Sequence, residues 1–290
     1  MKKRRFLFFP FFLLFLSVAA FPSGLSFGFR FTGGMFSMSG GDLNTGMAGL
    51  SEYYSLIAEA GGMDLSGEFQ DLHWGFHGGG DLLVSFAPWI GLEVGGGYFS
   101  ASKESIVAFE GIPDEGRWTI KPSASIVPLR AGLFFLAPLG SGLSLSVHGG
   151  AVYALASVET SFRIESVGTD YWRLETQKST AAGIGFYGGL GLEIRIAPGV
   201  FFLVEAQGQG LRLDGFEGDL NASYSFGATE ARSGTLYDFD LDLPSGFSES
   251  KVNLLYIYED APSGYGLTNV RPAKVDFGGF GFAAGFVIRL

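Results

Sequence analysis

The sequence predicts an all-β fold, a closed antiparallel up-and-down barrel whose strands cross a membrane. The first observation is strand-like alternation, because apolar side chains occupy every second position of many segments, most clearly over residues 275–290. The second is that short and long connections between these segments alternate along the chain. The third is an N-terminal segment of the kind that directs export. Together these features are typical of a transmembrane β-barrel.

The N-terminal segment has the three parts of a signal peptide. Residues 2–5 are all basic, residues 6–16 are apolar, and residues 17–20 offer small side chains for cleavage after Ala20. The alternative, a retained helical anchor, is disfavoured because the apolar run falls short of the about 20 residues that span a bilayer. Residues 1–20 are therefore predicted to be removed, which leaves residues 21–290 as the barrel with its loops.

Composition narrows the classes of function. Four of the 19 Lys and Arg residues lie in the predicted leader, so 15 remain against 29 Asp and Glu residues. This acidic balance argues against nucleic acid as a partner, because phosphates require a basic surface. Cysteine is absent, which excludes disulfides, thiolate metal sites and a lipidated cysteine. We expect no cofactor.

Eight segments show the alternation expected of membrane-crossing strands, with apolar residues on one face and glycine or polar residues on the other. The seventh is the least regular. Pro122 and Pro128 predict a bulge or an irregular stretch in the fourth. The segments are residues 25–32, about 73–86, 90–98, about 119–136, 143–153, 184–196, 202–206 and 275–290.

The connections predict the orientation of the barrel. Short periplasmic turns and long extracellular loops are the pattern of bacterial outer-membrane barrels. Three connections, near residues 88, 139 and 198, are short. We therefore predict that both chain ends lie on the periplasmic side and that the long loops are extracellular. The long loops cover about residues 33–72, 103–118, 158–179 and 215–274.

Two of the long loops contain further predicted elements. Residues 49–60 carry apolar side chains at helical spacing and predict a short helix over the barrel mouth. Residues 234–243 and 251–259 look like additional strands. They form either a hairpin above the membrane, which leaves eight spanning strands, or two more spanning strands, which gives ten.

Projecting each strand inward from its short turn places several charges at similar depth, with Arg195 lower than the others. Charges inside a narrow barrel are tolerated only when they are paired, and eight strands enclose just enough room for side chains to fill. We interpret the charges as a salt-bridged plug, with a gated polar path or a chemical role as alternatives. This predicted lumen charge network comprises Arg30, Asp81, Glu93, Arg130, His148, Glu193, Arg195 and Glu205.

No catalytic, cofactor-binding or metal-binding residues are predicted. Asp238, Asp240 and Asp242 share one strand face that could suit calcium, but a solvated acidic loop is the preferred interpretation. His73 and His77 are interpreted as polar residues of the rim, because spacing identifies no activated serine beside them.

The C-terminus carries the most specific motif. Gly285, Phe286, Ile288 and Leu290 lie in a Gly-x-x-Φ-x-Φ sequence that matches part of the signal read by the barrel-assembly machinery, although the last residue is leucine rather than the usual phenylalanine. On these residues and the strand pattern, the chain resembles the small eight-stranded outer-membrane barrels, namely the OmpA transmembrane domain, OmpX and the OmpW-like proteins. The resemblance implies an outer-membrane location and three partners: membrane lipids, lipopolysaccharide and the assembly machinery.

The resemblance does not select one function, because such barrels serve in surface structure, adhesion, envelope integrity or small-molecule passage. We predict a surface structural or interaction protein with a mostly closed lumen. A narrow channel for small or apolar solutes is the first alternative. A membrane-embedded hydrolase of lipid or peptide is the second, although no catalytic motif of the enzymatic barrels is found.

Overall fold

The computed structural model describes residues 25–111, 115–244 and 251–290, which contain one α-helix and sixteen β-strands. The predicted signal peptide, residues 1–20, lies outside the described residues. No helix in the described residues has the length and hydropathy needed to cross a membrane. The elements in chain order are β1 (Ser26–Ser37), α1 (Asp42–Gly61), β2 (Asp64–Ser66), β3 (Trp74–Ala87), β4 (Ile90–Ser102), β5 (Ser105–Glu110), β6 (Glu115–Gly140), β7 (Leu143–Ser166), β8 (Trp172–Ala197), β9 (Val200–Gly210), β10 (Arg212–Leu213), β11 (Glu217–Tyr224), β12 (Thr229–Asp242), β13 (Lys251–Tyr258), β14 (Leu267–Pro272), β15 (Val275–Asp276) and β16 (Gly279–Arg289).

Eight of the strands form one continuous antiparallel series. The order of pairing is β1, β3, β4, β6, β7, β8, β9 and β16, and β16 pairs in turn with β1. Each of the eight segments predicted from the alternation corresponds to one of these strands, although residues 275–276 of the last segment form the separate strand β15. On β1, Phe27, Phe29 and Phe31 point outward and are 41–53% exposed, whereas Arg30 points inward and is 4% exposed.

The described residues contain sixteen strands, eight more than the eight membrane-crossing strands that were predicted. Of the eight further strands, β2, β5 and β11–β14 lie in connections that were predicted to be mostly loop, whereas β10 follows the seventh predicted segment and β15 begins the eighth. The reason is the length of β6, β7 and β8, which have 26, 24 and 26 residues. At about 3.3 Å per residue, such strands far exceed the ~30 Å hydrocarbon core of a bilayer. Their upper halves occupy most of the predicted 158–179 loop and provide edges on which β5 and β11 pair.

The two extra strands foreseen after residue 234 are present, as β12 and β13, but they do not enter the eight-strand series. β12 pairs with β11, β13 and β14, and within the described residues β13 has only β12 as a strand partner. The irregularity predicted at Pro122 and Pro128 is confirmed only in part, as an interruption of one strand pairing without a bulge. β6 pairs with β7 through both prolines without a register shift, and the missing N–H of Pro128 coincides with a gap in the β4–β6 pairing.

The helix is longer than predicted, because α1 begins at Asp42 rather than at residue 49. Gly46 and Gly49 on its first turns allow it to lie directly against β13. A Cβ atom at Gly49 would be only 1.8 Å from the carbonyl oxygen of Asn253. Glycine disfavours a helix on local grounds, so this extension of the helix depends on tertiary packing. α1 ends at Gly62, which adopts the left-handed conformation of a C-cap.

Side chains fill the interior in layers. Nearest the short turns lies a small apolar cluster of Leu83, Phe134, Leu203 and Val287. The inward charges lie above it, and a larger apolar cluster that includes Phe36, Phe99 and Ile126 lies above the charges; we call it the upper apolar cluster. At the top, α1 packs on aromatic residues of β5, β6 and β7.

Neighbouring glycines on β1 provide a test of the seam between the first and last strands. A Cβ atom at inward-facing Gly34 would lie 1.9 Å from the carbonyl oxygen of Phe282, whereas at outward-facing Gly33 its nearest contact is 3.7 Å away. We expect Gly34→Ala to weaken β1–β16 pairing and to reduce the fraction of protein that shows heat-modifiable migration on electrophoresis. Gly33→Ala is the matched control and should fold as the wild type does. Normal folding of Gly34→Ala would contradict the close approach of β1 and β16 at this position.

Candidate functional site

The structure brings six of the eight residues predicted for the lumen charge network into contact, and we call this group the charge cluster. They come from six strands of the series and all point inward. Apart from Arg130, whose side chain is 12% exposed, none is more than 5% exposed. The charge cluster consists of Arg30 on β1, Asp81 on β3, Glu93 on β4, Arg130 on β6, His148 on β7 and Glu205 on β9.

Arg30 is the centre of the charge cluster. Its Nε donates to Asp81 Oδ2 at 2.9 Å, and its Nη2 donates to Glu93 Oε2 at 2.6 Å. Arg30 and Asp81 are register partners on β1 and β3, so strand pairing itself places them side by side. Arg130 approaches the same carboxylate from β6, with its Nη2 at 3.0 Å from Asp81 Oδ1. Asp81 is thus held between two guanidinium groups.

The other half of the charge cluster is organised around His148. Its Nδ1 lies 3.0 Å from Glu93 Oε1, and its Nε2 lies 3.5 Å from Glu205 Oε2. The hydroxyl of Tyr187 donates to Glu93 Oε1 at 2.6 Å. The three carboxylates face two guanidinium groups, and an imidazolium at His148 would make the charge cluster neutral. Charge balance of this kind is what makes buried ions tolerable.

Glycines make the space that these side chains occupy. A Cβ atom at Gly189 would lie 2.2 Å from His148 Nε2, and a Cβ atom at Gly95 would lie 2.1 Å from Asp81 Oδ1. Both glycines are register neighbours of the charged residues that they accommodate. The glycine-rich inner faces of β4 and β8 are therefore part of the charge cluster's construction.

Two residues of the predicted network lie away from the charge cluster. Glu193 is buried but accepts from Arg289 Nη2 at 2.6 and 2.7 Å, close to the short turns. Arg195 is exposed, and its guanidinium lies 5.7 Å from the centre of the Phe201 ring. The register of the β8–β9 pairing shifts between Arg195 and Ala197, where β8 ends. Tyr187 was not predicted as a member, although its inward position follows from the alternation of β8.

Other sequence candidates occupy ordinary structural positions. His77 contacts the Gln207 side chain at 2.8 Å, and half-exposed His73 lies 3.7 Å from Asp71. The interpretation of Asp238 as part of a solvated acidic face is wrong, because Asp238 is 3% exposed and its Oδ2 accepts from Arg271 at 2.8 Å. Among the described residues, no group of three or more His, Asp or Glu side chains could hold a metal ion.

The predicted assembly-signal residues end the last strand of the series. Gly285 points inward, and Phe286, Ile288 and Leu290 point outward with 49%, 37% and 79% exposure. β16 pairs with β1 on one side and with β9 on the other. The predicted assembly signal therefore lies where the first and last strands of the series pair.

A second candidate site lies at the other end of the molecule, beneath α1. The position of this helix depends on Asp42, its first residue. Asp42 Oδ2 accepts from Arg271 Nη1 at 2.5 Å and from the backbone N–H of Lys274 at 2.7 Å. Burial of Asp42 opposes its ionisation, but these hydrogen bonds outweigh it and lower the pKa of the carboxyl group. In contrast, burial raises the pKa of Asp238 on the other side of Arg271. The carboxylate of Asp42 thus ties α1 to β14.

Beneath α1 is a cavity of about 290 Å³, which we call the helix pocket. Its walls come from α1, the upper ends of β7 and β8, and the β12–β13 hairpin. Apolar and tyrosine side chains make most of the wall, and a few polar side chains of β8 form one corner. The apolar and aromatic lining comprises Leu43, Met47, Leu50, Tyr53, Tyr54, Phe162, Phe239, Leu241, Leu254, Leu255, Tyr256, Tyr258 and Leu267.

The polar corner of the helix pocket contains Arg173, Glu175 and Gln177, three inward residues of β8. Glu175 is 5% exposed, and it accepts from Arg173 Nη2 and, at 3.2 Å, from Gln177 Nε2. Burial raises the pKa of the Tyr256 hydroxyl, and the neighbouring Glu175 carboxylate acts in the same direction. Tyr256 therefore remains a protonated donor beside Glu175 at neutral pH.

Comparison with known proteins gives one family and two structural likenesses. The family described as outer membrane protein beta-barrel domain matches residues 11–228. The crystal structure of the outer membrane protein OprG from Pseudomonas aeruginosa aligns with 13% identity and a TM-score of 0.39, covering 92% of this chain and 97% of OprG. A mutant of TodX, a monoaromatic hydrocarbon channel, aligns with 7% identity and a TM-score of 0.15, covering 93% and 91% of the two chains. No curated protein matches the sequence.

The charge cluster should contribute strongly to stability. Arg30→Met would leave Asp81 and Glu93 buried without their shared partner, and removing one partner of a buried ion pair costs about 3–5 kcal/mol. We expect a loss of that order in the free energy of unfolding, measured by guanidinium titration in detergent micelles. Arg195→Met is the matched control, because an exposed substitution changes stability by about 0.5 kcal/mol or less. Equal losses in the two variants would contradict the central role of Arg30.

Proposed function

The chain belongs to the outer membrane protein β-barrel domain family and lies in the bacterial outer membrane, and on this premise we propose that its eight-strand series crosses that membrane as a plugged barrel. In this proposal the barrel conducts no solute and carries no catalytic residues. It holds an extracellular module, made of α1 and β10–β15, at the cell surface. The module is the part that interacts with other molecules.

The observation that carries the proposal is the filling of the interior. The charge cluster occupies the cross-section with residues from six of the eight strands, and an apolar cluster lies on each side of it. A charged layer of this kind, if continuous with water on both sides, would resemble a polar path. Here apolar clusters lie on both sides of the charged layer, and a small cavity lined by Arg130, His77 and Gln207 separates it from the upper apolar cluster. The apolar clusters support a plug rather than a path for ions.

The outer face supports the membrane position of the series. Large apolar side chains of all eight strands are exposed there, including Phe86, Trp89 and Leu133 near the short turns. Exposed apolar surface of this extent requires a lipid environment. We propose that outer-membrane lipids cover this face and that the module above β7 and β8 is extracellular.

The plug predicts the electrical behaviour of the protein. We expect the wild-type chain to give no stepwise conductance in planar lipid bilayers, because apolar layers lie on both sides of the charge cluster. A general porin inserted by the same procedure is the positive control, and electrophoretic heat-modifiability verifies that the silent protein is folded. Discrete, stable current steps would overturn the plug and favour a narrow channel.

The orientation can be tested with single cysteines, since the chain has none of its own. Tyr265, between β13 and β14, is fully exposed, and Leu139, in the β6–β7 turn, is 56% exposed. We expect a membrane-impermeant maleimide to label Tyr265→Cys on intact cells. Leu139→Cys should be labelled only after the outer membrane is permeabilised. The reverse pattern would invert the proposed topology.

A further inference from the structure

We propose that the helix pocket binds an uncharged, largely apolar small molecule that carries one hydrogen-bond acceptor, such as a medium-chain ketone, ester or alcohol. The inference rests on the proposed function, because the ligand has to reach the pocket from the outside of the cell. It goes further by assigning the site, the chemical class of the ligand and the side chain that selects it.

The dimensions and walls of the helix pocket suit a small apolar body. Its volume of about 290 Å³ lies at the lower end of the roughly 300–1,000 Å³ typical of small-molecule sites. Leu43 and Met47 of α1 are buried on one side, and Phe162 and Phe239 are buried on the opposite walls. Several other lining residues, among them Leu50 and Leu254, are only half-buried. The walls are thus formed, while part of the lining remains open to solvent.

The polar corner has a donor without an acceptor. Glu175 already accepts from Arg173 and Gln177, and the side-chain oxygen of Gln177 accepts from the backbone N–H of Ile257 at 3.1 Å. The Nε of Arg173 is buried and has no hydrogen-bond partner among the described residues. A guanidinium group has five N–H donors. The group that would complete this corner is therefore a hydrogen-bond acceptor.

The charges of the corner favour a neutral acceptor over a carboxylate. Glu175 pairs with Arg173, so the corner has no net charge to offer an anion. A ligand carboxylate beside Arg173 would also lie close to Glu175 and be repelled by it, and an ammonium group would be repelled by Arg173. A carbonyl or hydroxyl oxygen accepts the spare N–H without either penalty.

The test compares three probes of the same chain length: 2-octanone, octane and octanoate. Each is tritiated, and its binding to the full chain in lipid nanodiscs is measured by scintillation proximity, with empty nanodiscs subtracted. We expect 2-octanone to bind about tenfold more tightly than octane, as one added hydrogen bond to a charged donor implies. Octanoate should bind less tightly than 2-octanone. Equal affinity for the ketone and the alkane, or no saturable binding, would overturn the inference.

Two sets of variants assign the binding to this pocket. Arg173→Met combined with Glu175→Gln removes both charges together, so that no buried ion is left alone. It should weaken 2-octanone binding about tenfold and leave octane binding unchanged. Leu50→Trp and Leu254→Trp should each abolish binding by filling the cavity from opposite walls. Ile57→Trp, on α1 but outside the pocket lining, is the matched control.

Each outcome decides the inference separately from the proposed function. If the double variant fails to fold, as judged by heat-modifiability, the three tryptophan variants provide the test of the site. Wild-type affinity in both Leu50→Trp and Leu254→Trp would then refute the site. Loss of binding in Ile57→Trp as well would show that the variants act by disturbing α1 rather than by filling the cavity. This result would also refute the proposed site. Failure of the binding experiment leaves the conductance result standing, whereas current steps with normal ligand binding would overturn only the plug.

Discussion

The narrow interior of an eight-strand ring imposes a constraint that most of this structure satisfies. Side chains that point inward have to fill the space, and any charge among them has to find a partner there. Arg30 and His148 are 118 positions apart in the sequence, yet their side chains lie 3.4 Å apart. Such contacts require β1 to pair with β3 on one side and with β16 on the other. The pairing of the first and last strands is therefore the interaction on which the charge cluster, and with it the closed interior, depends.

The same strands also support the proposed extracellular module. β7 and β8 pair along their whole length from Leu143 to Glu165, which gives the upper part of the molecule a rigid edge. β11 pairs with the upper half of β8, β12 pairs with β11, and β13 pairs with β12. α1 then fits against β13 through Gly46 and Gly49. The helix pocket is the space left between this added sheet and the inner faces of β7 and β8.

The periodicity of the sequence was sufficient to locate the eight strands of the series, because a two-residue repeat reports which face of a strand is apolar. It also identified Arg30, Asp81 and Glu93 as inward. It placed Arg195 lower than the other charges but kept this residue in the network because it lies on the inward-facing side of the alternation, whereas its side chain is exposed where β8 ends. The extracellular elements were only partly predictable, because their stability comes from tertiary contacts. Asp238, for example, is paired with Arg271 of β14, a contact that the local sequence does not reveal.

The charge cluster and the helix pocket are far apart along the strands. Along β7, His148 and Phe162 are separated by about 46 Å at the usual rise of an antiparallel strand. The upper apolar cluster, with Phe36, Phe99 and Ile126, lies between the levels of these two residues. Sites this distant, with no shared partners, contribute additively to stability. In the proposed plug, a ligand in the helix pocket would have a packed floor beneath it, as expected of a terminal binding site rather than of the entrance to a pore.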